Sequence, residues 1–312
     1  MCGREMISPV GPMQDRGFIL LVVIWMVALF ALTTTAFVKA VQAHLRATTV
    51  QIQSSRAELV ADSGLALVVL DLIESQVPGR QRKFAVKGAL VTCTLDEDRL
   101  TIRLQDAAGR LNLNLASDRL LQALFIGLGA SRQVAGVYSG AIIDFRAPAA
   151  APLRASIDKP DYQAAGRRLG PKNAPLDSLE ELRQIAGLDG AMIKAMRPHV
   201  TIHSGIAGLD PEVTSPALTE LLARGYESLA AQAQSQLGGS GWPGEFVVAS
   251  TKRTYMAEIQ GEPATGALYV REVVIELVPN QNSLPIYKVW RRSLGGSLPR
   301  EFGDAPPPCL AS

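Results

Sequence analysis

The run from Phe18 to Val38, FILLVVIWMVALFALTTTAFV, contains no charged side chain. At about 1.5 Å of rise per residue, a helix of this length crosses a hydrocarbon layer of roughly 30 Å. A removable secretory signal would have a shorter apolar core, about 7–15 residues, followed by a small-x-small cleavage site. Here the chain runs on instead. From Lys39 to Gln76 there is no proline, and Gly64 alone interrupts a sequence rich in Ala, Leu, Gln, Glu and Arg, which are good or tolerable helix formers. Val41, Leu45, Ile52, Leu59, Leu67 and Leu70 recur at mixed spacings that suit one apolar stripe, and Pro78-Gly79 supplies a stop. The expectation is one continuous helix over residues 18–78. Residues 18–38 lie in lipid and the remainder projects into water.

Composition bounds the rest of the chain. With 312 residues, 47% hydrophobic and 19% charged, there is material for about two modest domains after the anchor. A net charge of only +2 argues against a nucleic-acid surface built on bulk charge. Of the three cysteines, Cys2 precedes the apolar run, whereas Cys93 and Cys309 come after it. In an oxidising compartment these two form either a disulfide or two separate thiols, and the sequence permits both.

After a basic stretch, RQRKFAVKG over residues 80–88, the segments Ala89–Leu95 and Arg99–Leu104 alternate apolar and polar residues around Asp96-Glu97-Asp98. This pattern is a β-hairpin with a solvated acidic turn. From Asp106 the character becomes helical. Ser117 or Asp118 caps a helix with Leu120, Leu121, Leu124 and Phe125 on its face, ended by Gly127 and Gly129. A second helix, Ser131 to about Phe145, presents Val134, Val137, Tyr138, Ile142 and Ile143. After a looser stretch, Arg146–Lys172, Asp177 or Ser178 opens a capped helix, and Gly187-Leu188-Asp189-Gly190 turns it into Ala191–Met196. Gly208-Leu209-Asp210-Pro211 with Ser215-Pro216-Ala217-Leu218 repeats the pattern of Leu113–Leu120, so residues 106–236 read as an all-α block of two related units. The tract LGGSGWPGE is a linker. Strands resume at Phe246–Ala249, Thr254–Gln260, Ala267–Val278 and Pro285–Arg291, with Gln260-Gly261-Glu262-Pro263 as a turn. The tail, 298–312 with Pro306-Pro307-Pro308, reads as flexible.

The juncture Gln14-Asp15-Arg16-Gly17, followed by Phe18 and the apolar run, resembles the cleavage site of type IV prepilins and pseudopilins. The resemblance implies that a prepilin peptidase cuts between Gly17 and Phe18 on the cytoplasmic face and that Phe18 is then N-methylated. It makes residues 1–17 a leader whose start is Met1, Met6 or Met13. Most such subunits carry Glu at the fifth mature position, which is Val22 here. A carboxylate in an apolar helix is costly unless paired, and a subunit without it needs no earlier neighbour. That departure, with Asp106–Leu115, Ala141–Phe145, Pro171–Pro175 and Ser178–Leu182, resembles the K-type minor pseudopilin of type II secretion.

The resemblance implies an α+β fold: a long N-terminal membrane-spanning helix, then a pseudopilin α/β domain with an antiparallel sheet. Residues 79–105 and 237–297 form that domain's two parts, and 106–236 is a large inserted all-α SAM-like domain. It implies a structural subunit at the pseudopilus tip that supports protein export across the outer membrane. It further implies partners in the I-type and J-type minor pseudopilins. The protein would be bitopic in the inner membrane, with its N-terminus cytoplasmic and its bulk periplasmic. Members of this family are associated with calcium, but no Asp-rich loop assigns ligands here.

No cofactor or catalytic motif stands out, so the chain is expected not to be an enzyme; an anchored periplasmic enzyme is the weaker alternative. His199 and His203 lie four apart, but Pro198 and Val200-Thr201-Ile202 favour extended chain over a helical ligand pair. Leu182–Ala195 resembles a degraded helix-hairpin-helix, with Asp189 standing where a glycine would meet phosphate and only Lys194 and Arg197 nearby. A DNA-binding component is therefore the rival reading, and no nucleic-acid partner is expected.

Overall fold

A computed structural model of the chain describes residues 15–77, 79–148, 159–164, 166, 170–230, 244–278, 284–293, 296–299 and 307–309. It divides into two compact units, residues 1–56 and residues 57–312. Helix α1, Asp15–Glu74, is continuous over 60 residues. It ends short of Pro78 as the chain turns through Ser75–Val77, because the residue before a proline is steered away from helical backbone. The buried Asp71 ties the next segment back to the helix: its carboxylate accepts the backbone N–H groups of Lys83 and Phe84 at 2.7 and 3.1 Å.

In the first unit every residue from Phe18 to Ile52 is exposed. The hydroxyls of Thr33, Thr34 and Thr35 donate back to the carbonyls of Phe30 and Ala31 at 2.7–3.0 Å, which satisfies polar groups that an apolar surrounding would leave stranded.

The second unit is built on a five-stranded antiparallel sheet, in spatial order β1 (Lys87–Leu95), β2 (Asp98–Asp106), β5 (Thr254–Glu262), β6 (Tyr269–Glu276) and β7 (Ile286–Arg292). The expected hairpin is present, with Leu95 paired to Asp98 across a tight turn in which Asp96 has φ 53°. The last turns of α1 lie on this sheet. Ala57, Val60, Ala61, Leu65, Val68 and Leu72 are buried there, whereas Leu59 and Leu70 of the apolar stripe face away from the sheet at 66% and 51% exposure. Small residues set the contact because they let helix and sheet approach. A Cβ on Gly261 would stand 2.5 Å from the Ala57 carbonyl oxygen and 2.6 Å from the Ala61 nitrogen. Gly261 is thus a strand residue under a helix, not part of the turn expected at Gln260–Pro263; the chain turns later, with the Gly266 N–H donating to the Pro263 carbonyl.

Between the adjacent strands β2 and β5 lies the helical insertion. Its helices are α2 (Asp118–Gly127), α3 (Arg132–Arg146), α4 (Lys159–Ala164), α5 (Gly190–Met196) and α6 (Pro216–Ala230). The cap of α2 is as anticipated, with Ser117 accepting from the Leu120 N–H, and Ser131, expected as the first residue of the next helix, is instead the cap of α3 and accepts from the Val134 N–H. The buried face of α3 is different, since Val134 and Val137 are exposed while Ala135, Ala141, Ile142 and Phe145 are buried.

The insertion is not purely α. Strand β3, Leu111–Asn112, pairs in parallel with β4, Val200–Thr201. The segment after Ser178 is a 3-10 turn, Leu179–Gln184, and Ser178 makes no side-chain cap. Instead the Glu181 carboxylate accepts the Asp177 N–H at 3.1 Å. Phe246–Ala249 does not join the main sheet either. Phe246 is buried in the insertion's core, edge-to-face on Tyr226, and Leu209 exchanges backbone hydrogen bonds with Phe246 and Val248. That extended piece before α6 parallels the β3 piece before α2, which is the recurrence seen in the sequence.

The tail is not wholly free. Leu298 is buried, with its N–H on Gln260, and Cys309 is disulfide-bonded to Cys93. Residues 1–14 of the leader and residues 231–243 and 300–306 lie outside the described residues.

Candidate functional site: the anchor segment and the insert–sheet junction

Two features distinguish the molecule, one in each unit. In the first, Gly17 and Phe18 are consecutive residues near the start of α1. Phe18 is 70% exposed and Val22 41% exposed, within a helix whose 18-residue window reaches a mean hydropathy of 2.5 with none of it buried. No charge stands at the Val22 position or anywhere else from Phe18 to Val38, so the segment satisfies the length and composition needed to cross a membrane.

The second is the junction where the insertion leaves and rejoins the sheet. β2 ends at Asp106, and the chain returns through Ser250 to β5. The Asp106 carboxylate accepts from the Ser250 hydroxyl at 2.6 Å and from the Ala108 N–H at 2.9 Å. Asp210, on the second extended piece, accepts from the Ser250 N–H at 2.7 Å and the Glu212 N–H at 2.9 Å. Burial raises the Asp106 carboxyl above its ordinary range, and the Asp210 charge adds to this against the hydrogen bonds from Ser250 and Ala108.

Beside this clasp the contact surface is charged. Arg110 donates to the Gln105 side chain at 2.7 Å, and Arg103 pairs with Glu258 at 2.8 Å. Arg291 of β7 reaches both Glu272 of β6 and Glu180 of the insertion at 3.1 Å, and Arg197 holds the same Glu180 at 2.6 Å. A cleft here is lined by Leu179, Glu180, His203, Met256, Glu272 and Arg291, among others.

His199 and His203 sit in this contact. Strand β4 separates them, as the β-branched residues implied, so they are not a helical pair. Burial lowers both pKa values; Arg110 lowers His199 further, and Lys288 and Arg291 lower His203. With the folded values depressed below the unfolded value of about 6.5, the unfolded chain binds more protons in acid. The stability these residues contribute is therefore complete above that pH and is lost as pH falls below it. Denaturant unfolding at pH 7.5 and pH 5 should show this loss, and His203→Gln should reduce it; equal slopes for wild type and variant would exclude the histidine as a cause.

Calcium needs six to eight oxygen ligands. Among the described residues no three His, Cys, Asp or Glu side chains converge on one point. The helix-hairpin-helix reading fails locally. Leu179–Gln184 is a 3-10 turn, Asp189 makes no cap bond, and Arg197 is bound to Glu180. Sequence reasoning did not foresee the Asp106–Ser250–Asp210 clasp. Its only signal is a pair of short-loop aspartates, Asp106 before Ala-Ala-Gly and Asp210 before Pro.

Residues 102–205, from β2 through the first part of the insertion, match the family model described as type II secretion system (T2SS), protein K. The fold is similar to that of a chain in the crystal structure of the GspK-GspI-GspJ complex from the enterotoxigenic Escherichia coli type 2 secretion system, with a TM-score of 0.55 and 15% identity. The likeness covers 81% of this chain and 99% of that one. No curated protein matches the sequence. The family model falls on the insertion that sets this fold apart, so residues 102–205 are similar to protein K of the type II secretion system, and the chain as a whole shares the fold of the solved relative.

Proposed function

We propose that this minor pseudopilin of the secretion pseudopilus stands at the filament tip and is a structural subunit rather than an enzyme. The carrying observation is Val22, an apolar residue at the fifth position after Gly17 within the uncharged, exposed run Phe18–Val38. A subunit with a carboxylate there needs a neighbour's terminal amine to neutralise it in lipid, whereas this one enters the membrane and starts a filament without such a neighbour. The insertion supports the same placement, since a helical block of this size on the sheet leaves no room for another subunit above.

The chain spans the inner membrane once, N-terminus in the cytoplasm and bulk in the periplasm. Prepilin peptidase removes residues 1–17, and Phe18 becomes the methylated N-terminus. The I-type and J-type minor pseudopilins are the partners, in keeping with the GspK-GspI-GspJ assembly formed by the structural relative. The test is the N-terminal mass of the membrane-extracted protein from cells with and without the peptidase. The expected result is a methylated Phe18 end that depends on the peptidase. An intact leader in peptidase-containing cells would sink the proposal.

A further inference from the structure

We propose that His203 is a proton-operated release for the insertion: charging its ring in acid opens the contact with β6 and β7 while the insertion stays attached at the Asp106–Ser250–Asp210 clasp. The clasp holds the insertion at the ends of β2 and β5. Two strands further across, Glu180 accepts from Arg291 of β7 at 3.1 Å, and Arg291 also forks onto both carboxylate oxygens of Glu272 on β6 at 3.1 Å. His203 lines the cleft between insertion and sheet there, facing a floor that includes Met256, Val274 and Val289.

The backbone fixes the position of this half-buried residue. Its N–H donates to the Thr201 hydroxyl at 3.1 Å, and the next residue, Ser204, is buried and accepts from the Asn112 side chain at 3.1 Å. The charged groups that face the ring are Lys288 and Arg291 of β7, Glu272 of β6, and Asp177 and Glu180 of the insertion. Each of these carboxylates already has a cation: Glu272 has Arg291, Glu180 has Arg197 and Arg291, and Asp177 has Lys172 at 2.7 Å. Lys288 is itself paired with Glu276 at 2.9 Å. An imidazolium at this point adds a third positive charge beside two others and finds no uncommitted carboxylate among its neighbours.

Burial first, then Lys288 and Arg291, hold the imidazole below its ordinary range against the pull of Glu272, so near pH 7.5 the ring is neutral and the contact closed. Moving the ring into water restores its ordinary value of about 6.5. The open form therefore takes up the proton first as pH falls and gains on the closed form. The clasp responds in the opposite sense. Burial and the Asp210 charge raise the Asp106 carboxyl, so its protonation in acid removes a repulsion and favours attachment there. Acid thus loosens one side of the insertion and not the other, and uncovers the apolar floor of the cleft.

The test takes Met256, half-buried in the cleft, as reporter and Met196, fully buried in the insertion's own core, as control. The full chain in mild detergent is treated with hydrogen peroxide at pH 7.5 and pH 5, and sulfoxide formation at each methionine is followed by mass spectrometry relative to free methionine. Met256 oxidation should quicken by at least about fivefold in acid while Met196 stays slow. His203→Gln should abolish the change and His199→Gln should keep it. Lys288→Gln, which removes one repelling cation without touching the ring, should reduce it. A Met256 rate in wild type that is independent of pH would overturn the proposal. So would an acid response that survives in His203→Gln, one that is lost in His199→Gln, or equal acceleration at Met196, since the insertion itself would then be unfolding.

Discussion

Gly225→Ala should destabilise the insertion by about 3 kcal/mol, although alanine is the better helix former by about 1 kcal/mol. Gly225 lies in α6 where that helix crosses α2. A Cβ there would stand 1.8 Å from the Ala123 carbonyl oxygen and 2.6 Å from its carbon. On the facing helix a Cβ at Gly127 would meet the Leu221 carbonyl oxygen at 2.1 Å. The obstructing atoms are backbone, so no rotamer change relieves them, and the helices must separate and open a gap along Leu120, Leu124, Leu218 and Leu222, all buried. Against a total stability of roughly 5–15 kcal/mol this is a large fraction. Thermal unfolding with limited proteolysis of the insertion would register it; a variant as stable as wild type would show that α2 and α6 do not depend on this close crossing.

Arg271→Ala should cost about 2–3 kcal/mol and free the last turns of α1 from β6. The Arg271 side chain is 5% exposed. Its guanidinium meets Asp62 with two bonds, 2.8 and 3.1 Å, and Glu58 at 2.6 Å, while lying 4.9 and 5.0 Å from the Tyr269 and Trp290 ring centres. Removing one partner of a fully buried pair costs about 3–5 kcal/mol. The lower figure applies because the Glu58 and Asp62 side chains are 44% and 32% exposed and water screens what is left behind. Arg271→Lys should restore less than half of the loss, since a compact ammonium neither forks onto Asp62 nor spreads its charge over both rings as a guanidinium does. Denaturant midpoints of the three proteins decide this, and full rescue by lysine would mean that charge alone holds the contact.

Where a feature of this fold follows from local periodicity, the sequence shows it: the apolar run, the hairpin turning at Asp96-Glu97, the serine cap of α2, and the strands β5, β6 and β7. Misreadings arise where a residue's role is set by something distant in the chain. The helix face that meets the sheet is not the leucine stripe, because close approach to the sheet selects Ala57, Ala61 and Gly64. Gly261 looks like a turn and is a gap for a helix. Phe246 has strand character, yet its partner is Leu209 in the insertion and not a sheet strand. Cys93 and Cys309 meet across a separation of 216 residues that no local pattern reports. For the candidate site, Gly17, Phe18 and Val22 are assigned from the juncture alone, and the N-terminal mass of the mature protein is their test. The clasp of Asp106, Ser250 and Asp210 is not legible in the sequence, because its members come from three separate segments.

Because β2 and β5 are neighbouring antiparallel strands, with Asp106 opposite Tyr255 at their shared end, the entire insertion is topologically one enlarged hairpin loop. A force that spreads the insertion's two attachment points therefore acts on the β2–β5 ladder in peel geometry, breaking its rungs one after another rather than loading them all together. A force along the strands meets no such weakness, since it moves β2 and β5 together and loads their ladders with β1 and β6 in shear. Ser250 is the bolt at the point where peeling would begin, with its hydroxyl on Asp106 and its N–H on Asp210. A chain of this topology is mechanically directional, strong under a load along its strands and weak under one that spreads the ends of the insertion.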